Sequence, residues 1–203
     1  IILYRLKESL AFLLNKQPKN ALEKANKILV LLKLEPLNAL PNKKIVDKKT
    51  RIGDWEIDTV IGKDHKGAIL TIVCKASKFL LIKNLGSKHA DITRDATISL
   101  LQPLKDITHT ITADNGTEFT YHKDVSKALD LQYYFCDPYS SWQRGLNEHT
   151  NGLIRQYIPK RSSFENISQE EIVTIANKLN HRPRKSLGYK TPFEVFMKAF
   201  SKK

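Results

Sequence analysis

Residues 51–73 read RIGDWEIDTVIGKDHKGAILTIV, and this stretch decides the fold. DWEIDTVI (54–61) alternates in part between apolar and acidic residues, the period of a strand with two unlike faces. AILTIVCK (68–75) is a continuous apolar run of the kind buried on both sides of a sheet. Between them GKDHKG (62–67) has glycine at both ends and suits a hairpin. KFLLIKNL (78–85) follows at once, so three sequential strands open the domain in antiparallel order. The period then changes: Ala90, Thr93, Thr97, Leu100 and Leu101 share one side of a helix expected over 88–101, with Pro103 just beyond. A strand over 108–113 ends at Asp114, and a short helix over 124–131, a strand over 132–136 and a helix over 147–157 follow. The fold class is α/β, a mixed sheet in the order β-β-β-α-β-α-β-α with flanking helices. Ser168 with Glu171, and Thr191 with Pro192 and Glu194, give the capping patterns of two more helices.

Upstream, residues 1–40 carry leucine stripes at spacings of three and four (Leu3, Leu6, Leu10, Leu13, then Leu22, Ala25, Leu29, Leu32) and are expected to form a short helical appendage. Residues 41–50, PNKKIVDKKT, read as a basic linker, 51–197 as the principal domain with its C-terminal helices, and 198–203 as a basic tail. The chain has 203 residues, 41% hydrophobic and 27% charged, enough for one ordinary core. Cys74 and Cys136 form neither a disulfide framework nor a zinc-spaced cluster, which favours a reducing, cytoplasmic setting. No apolar run approaches the roughly 20 residues that span a bilayer, so a membrane-spanning helix is excluded.

The net charge is +13, and it is unevenly placed. Residues 1–50 hold 11 Lys+Arg against 4 Asp+Glu, residues 51–150 hold 12 against 13, and residues 151–203 hold 11 against 4. Basic segments around a carboxylate-rich middle suit an enzyme that grips a phosphate backbone and holds divalent cations; a solvated lysine-rich surface gives the same counts. Within the middle block Asp58 lies in the first strand, Asp114 at the carboxyl end of the fourth and Glu148 in the opening turn of the helix after the fifth. Carboxyl ends of parallel strands converge on one edge, where ligands gather. Three carboxylates brought together there repel one another unless a cation intervenes. Mg²⁺ suits such a site, and two ions would serve phosphodiester cleavage or transfer. Each acid also has an ordinary use: Asp58 as a solvent-facing strand residue, Asp114–Asn115–Gly116 as a turn, Glu148 as a helix-dipole partner.

Longer motifs decide between these uses. TADNGTEF (112–119), CDPYSSWQRGLNEHTNGLIRQYIPK (136–160) and LNHRPRKSLGYKTPFEVF (179–196), together with 51–73, resemble the DDE transposases of bacterial insertion sequences, the family numbered thirty, over about 51–197. The resemblance implies an RNase H-like integrase core in which Asp58, Asp114 and Glu148 bind two Mg²⁺, with Mn²⁺ able to substitute. It implies DNA strand cleavage and transfer on double-stranded DNA, a homo-oligomer on that DNA, and a bacterial cytoplasmic protein associated with the nucleoid when active. On physical grounds Arg144, Arg155, Lys160, Arg161, Arg182, Arg184 and Lys185 are candidate phosphate contacts, and Trp142 with Tyr139 candidate stacking residues. Loop packing by the aromatics and a solvated 181–185 turn are the plainer readings. Asn115, Gly116 and Asn151 are supporting residues, and His149 is left out of the site. The sequence departs from the family at Ile57 (usually Gly), at His149 (usually Asn) and near Arg161 (usually Gly). Residues 1–50 do not resemble the family's end-binding helix-turn-helix, so a chain truncated or fused at its amino end is expected, and a non-catalytic DNA-binding remnant is the alternative function.

Overall fold

The computed structural model describes residues 43–136 and 145–201. The chain divides into two compact units, 1–47 and 48–203. Of the first, the described part is one short helix, α1 (Lys43–Asp47), inside the segment expected to be a linker.

The second unit is built on a five-stranded sheet in the order β3-β2-β1-β4-β5. Its strands are β1 (Asp54–Ile61), β2 (Ala68–Cys74), β3 (Leu80–Asn84), β4 (Thr110–Ala113) and β5 (Gln132–Phe135). β1, β2 and β3 are antiparallel neighbours, whereas β4 runs parallel to β1 and β5 parallel to β4. Helices α2 (Ala90–Leu101), α3 (His122–Leu129), α4 (Gly145–Ile154), α5 (Gln169–Asn180) and α6 (Pro192–Phe200) flank the sheet, with short 3₁₀ segments between elements. The expected strand order and mixed sheet are thus observed, with most element ends moved by a few residues. The expected hairpin at 62–67 is closed by Gly62 N–H donating to Gly67 O (3.0 Å) and contains a 3₁₀ turn, Lys63–His65.

The sheet has a core on each side. Trp55, Ile57, Leu70, Ile72 and Ile111 face α2, α3 and Phe196 of α6; Val60, Ile69, Val73, Leu80 and Ile82 face α4 and α5. All seven β2 residues are buried, which is why that strand reads as an unbroken apolar run. Ser168 and Thr191 form the expected capping boxes of α5 and α6.

The outer edge of β3 is closed by side chains. Asn180, at the end of α5, accepts from Leu80 N–H (2.8 Å) and donates to Leu80 O (2.9 Å). Gln169, at its start, accepts from Asn84 N–H (2.8 Å) and donates to Ile82 O (3.4 Å). One helix thereby satisfies a strand edge that would otherwise pair with another chain. Replacing Asn180 by Ala strands a buried donor and a buried acceptor at about 1–3 kcal/mol each. Urea unfolding of Asn180→Ala should therefore show a loss of roughly 2–6 kcal/mol.

Candidate functional site

The parallel register pairs Asp54 with Thr110, Trp55 with Ile111 and Glu56 with Thr112. Two residues further along the same rows stand Asp58, still within β1, and Asp114, the first residue after β4. Asp58, two residues after Glu56, lies on the α4 side of the sheet, and Asp114 follows the end of the neighbouring parallel strand. Ile57 points to the other face and is fully buried among Trp55 and Ile111, so its departure from the family pattern belongs to core packing.

Helix α4 is tied to β1 at two points. Glu56 Oε2 accepts from Asn147 N–H (3.2 Å), and Asp58 Oδ2 accepts from Asn151 Nδ2 (2.9 Å). Four residues of helix rise about 6.0 Å and two of strand about 6.6 Å, so a pair spaced i, i+4 on α4 matches a pair spaced i, i+2 on β1. Asp58 Oδ1 accepts from Thr59 N–H (2.9 Å), and Thr71 Oγ1 lies 3.3 Å from Asn151 Oδ1 and 3.2 Å from Asp58 O. Asn151, expected as a supporting residue, thus holds the Asp58 carboxylate. Glu148 sits in the first turn of α4, three residues before Asn151 and on the same flank, with its side chain exposed.

Asp114 shapes its own turn. Its Oδ1 accepts from Gly116 N–H (3.0 Å), and Asn115 Nδ2 donates to Cys136 O (3.1 Å), pinning the turn to the end of β5. A Cβ on Gly116 would lie 2.3 Å from Glu118 Oε2 and 2.9 Å from Asp114 Oδ1, so a larger residue here would force one or both carboxylates to move.

Two acids of this region were not assigned from sequence. Glu118, 5% exposed, accepts from Thr59 Oγ1 (2.7 Å) and faces Lys88 Nζ (3.4 Å), while its Oε2 is buried without a hydrogen-bond partner. It braces the residue after Asp58 against the turn after Asp114. Glu56 is fully buried, with Lys75 Nζ at 3.9 Å. Burial pushes its carboxyl above the ordinary range despite the opposing pull of Lys75. The signal for Glu56 lay in DWEID, where Asp54, Glu56 and Asp58 share one face of a strand whose other face is core. Asp54 is structural, bound by Arg51 (2.7 and 3.0 Å) and by Thr110 Oγ1 (2.8 Å).

The basic candidates divide. Lys160, Arg161, Arg182 and Lys185 are exposed, and Arg182 Nη1 donates to Gln156 Oε1 (3.3 Å). Arg155 is turned inward: Nη2 donates to Ile61 O (2.9 Å), and the guanidinium lies 5.0 Å from the Phe164 ring centre. Arg184 is half-buried, its Nη2 donating to Leu179 O (3.2 Å). Tyr139, Trp142 and Arg144 lie outside the described residues.

As donors, three carboxylates offer only hard oxygens, the ligand type that Mg²⁺ takes. The donor chemistry therefore fits Mg²⁺. Among the described residues, however, no group of three or more His, Cys, Asp and Glu side chains lies close enough together to hold a metal ion.

A mixed five-stranded sheet of this order with flanking helices is the RNase H-like fold of integrase catalytic cores. The catalytic core of BIV integrase superposes with a TM-score of 0.58 at 17% identity, covering 74% of this chain and 97% of that one. A chain of the simian T-cell lymphotropic virus intasome gives 0.58 at 16% identity, covering 72% and 54%. No protein-family model matches the chain. Curated relatives do: the transposase of insertion sequence element IS4351 from Bacteroides fragilis is 53% identical over 152 residues, 75% of this chain and 47% of that one. Transposase InsI of IS30A from Escherichia coli K12 is 38% identical over 151 residues, 74% and 39%. A putative integrase of Spiroplasma virus SpV1-R8A2 B is 32% identical over 159 residues, 75% and 48%. This chain is a homologue of the insertion-sequence transposases with the fold of an integrase catalytic core, and it spans less than half the length of these relatives.

The contact between Gly116 and Glu118 is testable without any activity. Gly116→Ala should destabilise the protein, and truncating Glu118 to Ala in that background should recover part of the loss. The double-mutant cycle in urea should give a coupling of about 0.5–3 kcal/mol.

Proposed function

We propose that this chain is the catalytic core of a DNA transposase that cuts and rejoins phosphodiester backbones with divalent cations. The observation that supports the reading is the β1–β4 register: it pairs Glu56 with Thr112, so Asp58 and Asp114 each follow two positions on, and β1 also clamps the helix bearing Glu148. Homology to transposases supports it. Asp58, Asp114 and Glu148 are the residues that would hold two Mg²⁺ or Mn²⁺. Such ions, when bound, supply Lewis-acid charge to the phosphoryl oxygens and to the attacking oxygen.

The reaction runs twice. First, water adds to phosphorus as the P–O3′ bond breaks, leaving a 3′-hydroxyl and a 5′-phosphate. That hydroxyl then forms a bond to a target phosphorus, and the target's own 3′-oxygen leaves with a proton. The chain's contribution is orientation: the Asn151 amide and Thr59 N–H fix the Asp58 carboxylate, while Asn115, Gly116 and Glu118 fix the turn that presents Asp114. Lys160, Arg161, Arg182 and Lys185 offer exposed charge to the backbone of double-stranded DNA. Arg144, Arg155, Arg184 and Trp142 complete the proposed contacts. Holding two element ends together calls for a homo-oligomer on DNA. Among the described residues no helix is long and apolar enough to cross a membrane.

The purified chain should nick supercoiled plasmid in Mg²⁺ or Mn²⁺ and stop on chelation. Asp58→Asn, Asp114→Asn and Glu148→Gln should each reduce nicking and joining by more than the roughly 10–100-fold that loss of an outer-shell partner costs, with Asn151→Ala inside that range. Wild-type nicking by one of the acid variants removes that residue from the site. Metal-independent DNA binding with no nicking by the wild-type chain makes it a DNA-binding remnant.

A further inference from the structure

On the flank of α4 away from Glu148 lies a recess of about 70 Å³. Lys78, Leu146, His149, Thr150, Arg184 and Ser186 line it, and none of its lining residues is a carboxylate. At roughly 30 Å³ per water, it holds about two waters' share of liquid, the space of one small oxyanion and far below that of a base.

Its cations are only partly used. Lys78 Nζ donates to Lys75 O (2.6 Å), leaving two of its three hydrogens. Arg184 donates through Nη2 to Leu179 O (3.2 Å), but its Nε is buried and has no hydrogen-bond partner. Buried donors are rarely left in that state. Burial and then Lys49 push the Lys78 ammonium below its ordinary value, and burial and then Arg182 do the same for Arg184. Glu56 pulls Lys78 the other way without reversing the shift, so both cations gain from an added anion.

Position gives the missing charge a source. Leu146, His149 and Thr150 follow the i, i+3, i+4 spacing of one helix flank, and Glu148 with Asn151 occupies the other. A helix with its side chains is about 10–12 Å across, which is about three nucleotides of backbone at roughly 3.4 Å of rise each. A strand reacting beside Glu148 and crossing the first turn of α4 therefore brings a phosphate to the recess.

We propose that Lys78, Arg184 and His149, with the Ser186 hydroxyl, form a seat for one DNA backbone phosphate about three nucleotides from the reacting one. This rests on the transposase reading above and adds a position to it.

The test measures binding of a fluorescein-labelled DNA duplex to the full chain by anisotropy across a salt series, without metal. Lys78→Gln and Arg184→Gln should each weaken affinity roughly five- to tenfold near 0.1 M salt, and each should lower the slope of log affinity against log salt by about 1. Lys78→Arg should keep both, and Lys127→Gln, which removes an exposed charge on α3, should change neither. A neutral methylphosphonate linkage scanned along one strand should find a position that weakens the wild type and leaves the Lys78→Gln, Arg184→Gln double variant indifferent. Should Arg184→Gln fail to fold in a thermal melt, Lys78→Gln alone carries the comparison. An unchanged slope and an unchanged methylphosphonate profile in a folded variant overturn the seat and leave the transposase reading standing. Failure of the wild-type chain to bind duplex DNA overturns both.

Discussion

The hydrogen bond from Asn147 N–H to Glu56 Oε2 is the constraint on which the site depends, because it seats the first turn of α4 on the strand that carries Asp58. β1 presents Trp55 and Ile57 to one core and Asp54, Glu56 and Asp58 to the other face. An isolated buried carboxylate costs several kcal/mol or more, so each acid has to be answered. Asp54 is answered by Arg51 and Thr110, Glu56 by Lys75 and the α4 backbone, and Asp58 by Asn151 and Thr59 N–H. Burial relaxes in that order: the first two acids are fully buried, and Asp58 is half-exposed where β1 runs on beyond its pairing with β4. The polar face of one strand thus does structural work at its start and carries the candidate acid further along.

A second consequence follows from the edge of the sheet. α5 lies along β3 because two amide side chains, Gln169 and Asn180, reach its backbone from opposite ends of the helix. That fixes where α5 ends, and therefore where the basic turn 181–185 starts. Arg184 bonds back to Leu179 in the last turn of α5, so its guanidinium is carried to the flank of α4 by the same edge-closing device. The position of charge near α4 is set by strand satisfaction some distance away.

What could be read from the chain alone was what is local or periodic. The three opening strands, both capping boxes and the placement of Asp58, Asp114 and Glu148 on strand, strand end and helix start depend on alternation, runs and caps, all visible in order along the chain. Element ends moved because termini are settled by tertiary bonds. Glu118 was passed over because its partners, Thr59 and Lys88, are distant in sequence, and nothing in TEF announces a buried acid. The inward bond of Arg155 is invisible for the same reason: its acceptor, Ile61 O, comes from the far end of β1. Long-range hydrogen bonds decide whether a charged side chain faces water, and they leave no period behind.

The bed beneath α4 is unevenly satisfied. Glu56 Oε1 and both polar atoms of the fully buried Asn147 side chain have no hydrogen-bond partner. Each such group forgoes about 1–3 kcal/mol, a cost an apolar bed of the same shape would avoid. An apolar bed would also hold the helix by packing alone, indifferent to small shifts along the strand. Polar groups that are short of partners make the energy of α4 sensitive to such shifts, because a small movement or a side-chain rotation can restore a bond. Glu148 stands exposed on this helix, and among the described residues it belongs to no gathered metal-binding group, so under the proposed function the element that would bring the third acid to Asp58 and Asp114 is one whose bed gains bonds by rearranging.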